Sequence, residues 1–132
     1  MLISILHFAA YLGLSLVLLV AFQFIYVRIT PQDEWKLIKE EKNTAAAIGF
    51  GGAIIGFAIA LSGAVSHSVS LLDACVWGLL ALGAQSLAFC LVRFLFVPRI
   101  ADRIKDGELS AGVILAAISI AVGLLNAASM TY

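Results

Sequence analysis

Charge is what this chain has least of. Eight basic and eight acidic residues in 132 make 12%, about half the share of an ordinary globular domain. The net charge is zero, so there is no basic surface for nucleic acid and no acidic tail. Cysteine is also scarce. Cys75 and Cys90 stand fifteen positions apart on one predicted helix, roughly 22 Å at the helical rise, too far to pair with each other. They form no metal-ligand spacing and read as inert, buried thiols. Nucleophile–base–acid constellations, phosphate loops and metal motifs are missing. The glycines of GFGGAIIG sit inside a continuous apolar run with no preceding strand, which excludes a nucleotide loop. These absences predict a chain that is not an enzyme and needs no cofactor.

What remains is apolar. Hydrophobic residues make up 63% and the mean hydropathy is +1.10, more than a chain of this length can hide from water. The length permits one domain, an integral membrane unit over 1–132. Its apolar runs predict four spans, at about 2–27, 44–64, 73–97 and 109–130, since a span needs about 20 such residues. No basic segment precedes the first run, and it is longer than the apolar core of a signal peptide, so it should stay as a helix. Phe22, Phe24 and Tyr26 near its end suit a membrane interface.

The stretch from Thr44 to Ala64 organises the rest. It carries no charge and is mostly small residues. Glycine is poor in a water-exposed helix, but a bilayer forces helix on the backbone and makes glycine tolerable. Ala45, Gly49, Gly52, Gly56, Ala60 and Gly63 recur at steps of three or four and share one face. Such a face lets a second helix approach closely. Ala116, Ser119 and Gly123 form a similar face on the fourth span, together with Asn126.

Two patterns run along the whole chain. IKEEKNTAAAI, Ile38 to Ile48, matches IKDGELSAGVI, Ile104 to Ile114, at a constant offset of 66. This predicts two repeats, 1–66 and 67–132, each of two helices and both with the same orientation. The second pattern is basic charge. Arg28, Lys36, Lys39, Lys42, Arg93, Arg99, Arg103 and Lys105 all lie in or beside the loops 28–43 and 98–108. The positive-inside rule puts both loops in the cytoplasm and both termini outside, in the periplasm. Within those loops, Thr30-Pro31-Gln32-Asp33 reads as a helix start, and Trp35 and Ile38 share one face of a short surface helix. Pro98 breaks the third helix, and Gly107 reads as the stop of a second short helix.

The polar candidates inside the membrane are Gln85, Asn126, Asp73 and His7. Gln85 is the most central; it reads as interhelical glue or as a contact in a pore. Asn126 falls in the helix-packing face, with a backbone carbonyl or Gln85 as its partner. Asp73 lies close to a helix start, and His7 stands 66 positions before it, so both should sit at similar depth near the outer face. An acid and a histidine there could relay protons; the plainer reading is a capping carboxylate and a wetted imidazole.

The segment ITPQDEWKLIKEEKNTAAAI, ending at Ile48, resembles the YjfL family of bacterial inner-membrane proteins, as does the C-terminal GLLNAASMTY. The resemblance implies a bacterial inner membrane and four spans from a duplicated domain of unknown function. It implies no activity. The Asn43, Ala45, Ala46 start of the second span is not repeated, because Leu109 stands at the matching position.

The expected fold is therefore an all-α membrane protein, a four-helix transmembrane bundle made of two parallel two-helix repeats. The expected function is a non-enzymatic structural or interaction component. Its partners would be the lipid bilayer and a second copy or another membrane protein, reached through the Gly/Ala faces. The alternative is a small oligomeric channel or transporter subunit.

Overall fold

The computed structural model describes residues 1–29, 38–91 and 100–130. Those residues form helices α1 (Leu2–Ile29), α2 (Thr44–His67), α3 (Leu71–Leu91), α4 (Ile100–Lys105) and α5 (Leu109–Ala128). All but α4 are long and apolar enough to cross a membrane. The helix start at Thr30–Asp33, Trp35, Lys36, Arg93, Pro98 and Arg99 lie outside the described residues, as does the stretch 92–97 of the third span.

Several helix boundaries have a local cause. Asn43 caps α2, its Oδ1 accepting the Ala46 N–H at 3.0 Å. Ser68 closes it, its N–H and hydroxyl both donating to the Val65 carbonyl. α3 opens on a capping box: the Asp73 N–H donates to Ser70 Oγ at 3.1 Å, and the Val69 N–H donates to Asp73 Oδ2 at 3.0 Å. α4 stops at Gly107, whose φ of +81° suits a residue without Cβ. The Gly107 N–H returns to the Ile104 carbonyl and the Glu108 N–H to that of Arg103, a Schellman closure.

α2 is the centre. Twelve of its 24 residues are buried, whereas among the described side chains of α1 only Leu18, Phe22 and Tyr26 are. The heart of the fold is the α2–α5 pair. A Cβ added to Gly112 would stand 2.3 Å from the Ala45 carbonyl oxygen, one at Gly52 2.3 Å from Ala116 Cβ, and one at Gly63 2.7 Å from Ala127 Cβ. These contacts advance together along both helices, so α2 and α5 run parallel. α1 and α3 are also parallel, with Leu18 against Gly78 and Tyr26 against Phe89. α1 runs antiparallel to α2 (Phe22 on Phe57, Tyr26 on Phe50), and α3 antiparallel to α5. The two helix pairs therefore point the same way, with the C-terminal ends of α1 and α3 and the N-terminal ends of α2 and α5 at one end of the bundle.

An aromatic cluster fills the half of the bundle nearest that end. Phe22 stacks on Phe57 with centroids 4.7 Å apart, Tyr26 stacks on Phe50 at 5.1 Å and meets Phe89 at 4.8 Å. This corrects the interfacial placement of the first-span aromatics. Only Phe24 faces outward; Phe22 and Tyr26 are core, because they lie on the α1 stripe that meets α2 and α3.

A candidate site at the helix crossing and the clasp at the charged end

The small-residue face of α2 meets a matching face on α5. Ala45 and Ala60 are buried. Gly49 faces Leu115, Gly52 faces Ala116, and Gly56 faces Ser119 and Gly123. The closest approach is at Gly56 and Gly123. A Cβ on Gly123 would stand 2.1 Å from the Gly56 carbonyl oxygen, and one on Gly56 2.2 Å from that of Ser119. Only glycine fits such a crossing, which brings Cα–H groups against carbonyl oxygens. Gly112 also belongs to this contact. It lies four positions before Ala116 on the same face, a spacing that marked it in the sequence.

Gln85 and Asn126 both stitch α3 to α5. Gln85 Nε2 donates to the Ser119 carbonyl at 3.4 Å, and Asn126 Nδ2 donates to the Ala81 carbonyl at 3.3 Å. Ala81 lies one turn before Gln85, so the two amides form a reciprocal pair of ties between antiparallel helices. They do not bond to each other. Gln85 is buried; Asn126 is half-buried.

Asp73 and His7 do not join this group. Asp73 holds the first turn of α3, as described above. His7 is exposed on the N-terminal half of α1, and among the described residues no hydrogen bond links it to Asp73. His67 turns back on its own helix, its Nδ1 lying 2.9 Å from the Gly63 carbonyl oxygen.

The residue that does most at the other end is Asn43. Its Oδ1 caps α2, and its Nδ2 donates to the Ile104 carbonyl at 2.7 Å and to that of Lys105 at 3.3 Å. One side chain thus satisfies the start of α2 and the end of α4, sixty-one positions away, above the buried Ile104. Beside it opens a cleft of about 380 Å³ lined by Glu41, Lys42, Asn43, Thr44, Lys105, Asp106 and Gly107. Its two acids offset its two lysines, so no strong field of either sign attracts a charged ligand. Next to it, Arg103 and Glu108 form an exposed bidentate ion pair, Nε to Oε2 at 2.9 Å. That pairing holds the Glu108 carboxyl below the usual carboxylate range and pushes the Arg103 guanidinium up.

Among the described residues no group of three His, Cys, Asp or Glu side chains could hold a metal. Cys75 and Cys90 are free and half-buried.

A parallel pair of glycine-packed helices, flanked by two antiparallel partners with apolar outer surfaces, defines a four-span helical membrane protein. The profile of the Domain of Unknown Function DUF350 matches residues 1–130, and the chain belongs to that family. It is 40% identical over 129 residues to the UPF0719 inner membrane protein YjfL of Escherichia coli (strain K12), covering 98% of this chain and 96% of the relative. It is 27% identical over 129 residues to the UPF0719 transmembrane protein YshE of Bacillus subtilis (strain 168), covering 96% and 95%. No solved structure matches.

Proposed function

We propose that this protein is a non-enzymatic structural or interaction component of a bacterial inner membrane. It would be built by duplication of a two-helix unit, with both termini periplasmic and both charged loops cytoplasmic. One observation carries the reading: four polar side chains of the bundle serve to hold its helices. Gln85 and Asn126 tie α3 to α5, Asp73 caps α3, and Asn43 joins α2 to α4. The inner-membrane naming of the E. coli relative supports the location, and the confinement of all eight basic residues to two loops supports the orientation.

The sequence suggested that the Gly/Ala faces would hold a second copy or a partner. In this fold those faces are spent within the chain, on the α2–α5 contact. Of the four long helices α1 is the least covered, and its outward side is apolar: Leu2 is 71% exposed, Leu6 59% and Val17 66%. A photo-crosslinking residue at Leu6 or Val17 tests the interaction role in living cells. Protein adducts at α1 and none at Leu87 on α3 support it; lipid adducts alone at all three positions contradict it. An alkaline phosphatase fusion to either terminus should be active, as only an external end allows.

The channel alternative requires Gln85, Asn126, Asp73 and His7 to line one path. Purified protein in liposomes distinguishes it. Ion or proton flux that is lost in Gln85→Leu and Asp73→Asn favours transport, and absence of flux removes it.

A further inference from the structure

Gln23 and Arg28 are polar side chains of α1 to which the fold gives no work: among the described residues neither makes a hydrogen bond or an ion pair. Both line one groove of about 290 Å³, with Val20, Phe24 and Val27 as its apolar wall. These five positions fall at i, i+3, i+4, i+7 and i+8, one face of the helix. Phe24 is 68% exposed and Val20 49%, so the groove is open from the side. Arg28 stands in the last turn of α1, at the end of the bundle where α2 begins. Gln23 lies about 7.5 Å and Val20 about 12 Å farther in along the axis, at the helical rise. From the mouth inward the groove therefore presents a cation, an amide donor and an apolar wall. A phospholipid has the matching order: phosphate, ester carbonyls, acyl chain.

We propose that this groove binds one anionic phospholipid. The Arg28 guanidinium donates to the phosphate, a charge-assisted contact that its planar fork suits. The Gln23 amide donates through Nε2 to an ester carbonyl one level deeper, which gives a polar group inside a span its partner. The acyl chain runs along Val20, Phe24 and Val27. Charge decides the lipid class. Arg28 is the one charged side chain among the described residues of the groove, so a headgroup with net negative charge neutralises it. A zwitterionic headgroup brings its own cation and gains less. The groove between α1 and α2 makes the contrast. It measures about 320 Å³, Ser15, Leu19, Leu61 and Ser62 are among its lining, and it has no charged side chain among the described residues. No headgroup preference follows there.

Native mass spectrometry of the full chain tests this, after equilibration in detergent with equal amounts of phosphatidylglycerol and phosphatidylethanolamine of the same acyl chains. The unmodified protein should retain one lipid per chain and favour phosphatidylglycerol about tenfold, the scale of one charge-assisted hydrogen bond. Arg28→Gln should bring the ratio of the two lipids near one, and Arg28→Lys should keep most of it. Lys105→Gln removes another exposed cation at the same end and should leave the ratio unchanged. Gln23→Leu keeps the charge, so it should lower retention of both lipids severalfold without changing their ratio. Equal retention of the two lipids by the unmodified protein overturns the proposal whatever the variants do. A preference that survives in Arg28→Gln, or retention unchanged in Gln23→Leu, also overturns it.

Discussion

The side-chain amide of Asn43 donates to the Ile104 carbonyl at 2.7 Å while its oxygen caps the Ala46 N–H at 3.0 Å. Helix caps are worth about 1 kcal/mol, and a partly buried hydrogen bond adds about as much. Asn43→Ala should therefore lower stability by about 2 kcal/mol. Asn43→Ser keeps a capping oxygen but cannot reach Ile104, so it should cost about half as much. Unfolding in mixed micelles measures both; equal losses in the two variants would show that the link to α4 contributes nothing.

A second contrast concerns glycines. At Gly56 and Gly123 an added Cβ meets backbone, so Gly56→Ala and Gly123→Ala should each destabilise by about 1–3 kcal/mol as α2 and α5 are pushed apart. Gly56→Leu should abolish the folded state. At Gly51 and Gly83 a Cβ meets nothing within 4 Å, and alanine there should change stability by less than about 0.5 kcal/mol. Thermal unfolding in detergent compares the four alanine variants.

Phe57 and Phe24 make a third pair. Phe57 is fully buried and stacked on Phe22, whereas Phe24 is 68% exposed. Phe57→Leu should cost about 1 kcal/mol or more, from the lost ring pair and the small void. Phe24→Leu exchanges one lipid-facing apolar side chain for another and should leave the unfolding midpoint unchanged. A similar loss in both would mean that α1 does not present the face described.

The Arg103–Glu108 pair sets a pH dependence. Its geometry lowers the Glu108 carboxyl, so its contribution is present above the ordinary glutamate range and is lost as pH falls through the folded-state value. Arg103 stays charged throughout. Both side chains are solvent-exposed, so the effect should be small and should shrink with added salt. Unfolding midpoints of the unmodified protein and Glu108→Gln, measured against pH, should differ near neutrality and converge in acid below the ordinary glutamate range. A difference that persists in strong acid would exclude the ion pair as its source.

The membrane-spanning helices were legible because lipid imposes a simple rule: a long uncharged run must become helix, whatever its neighbours. The Gly and Ala spacing on α2 likewise declared a contact face. Its partner could not be read there, because periodicity gives a direction around a helix and not what lies in that direction. Ala127 completes the contact from α5 and becomes apparent only once the two helices are set in register. Phe22 and Tyr26 misled for a related reason: an aromatic near a span end suits the interface or the core equally by composition, and only the α1 crossing decides. Asn43 shows the clearest gap. Its position before TAAAI marks a cap, but nothing local points to a carbonyl sixty-one residues on.

The fold depends most on α2 and α5 of one chain being each other's partners. In a Cys75→Ser, Cys90→Ser background, Gly49→Cys with Leu115→Cys tests this directly. Leu115 Cγ lies 3.7 Å from where a Cβ on residue 49 would stand, so the two sulfurs can meet without backbone movement. Oxidation in the membrane should give a disulfide within a single chain that migrates as a monomer. Disulfide-linked dimers without that internal bond would contradict the account and return the glycine face to a neighbouring copy.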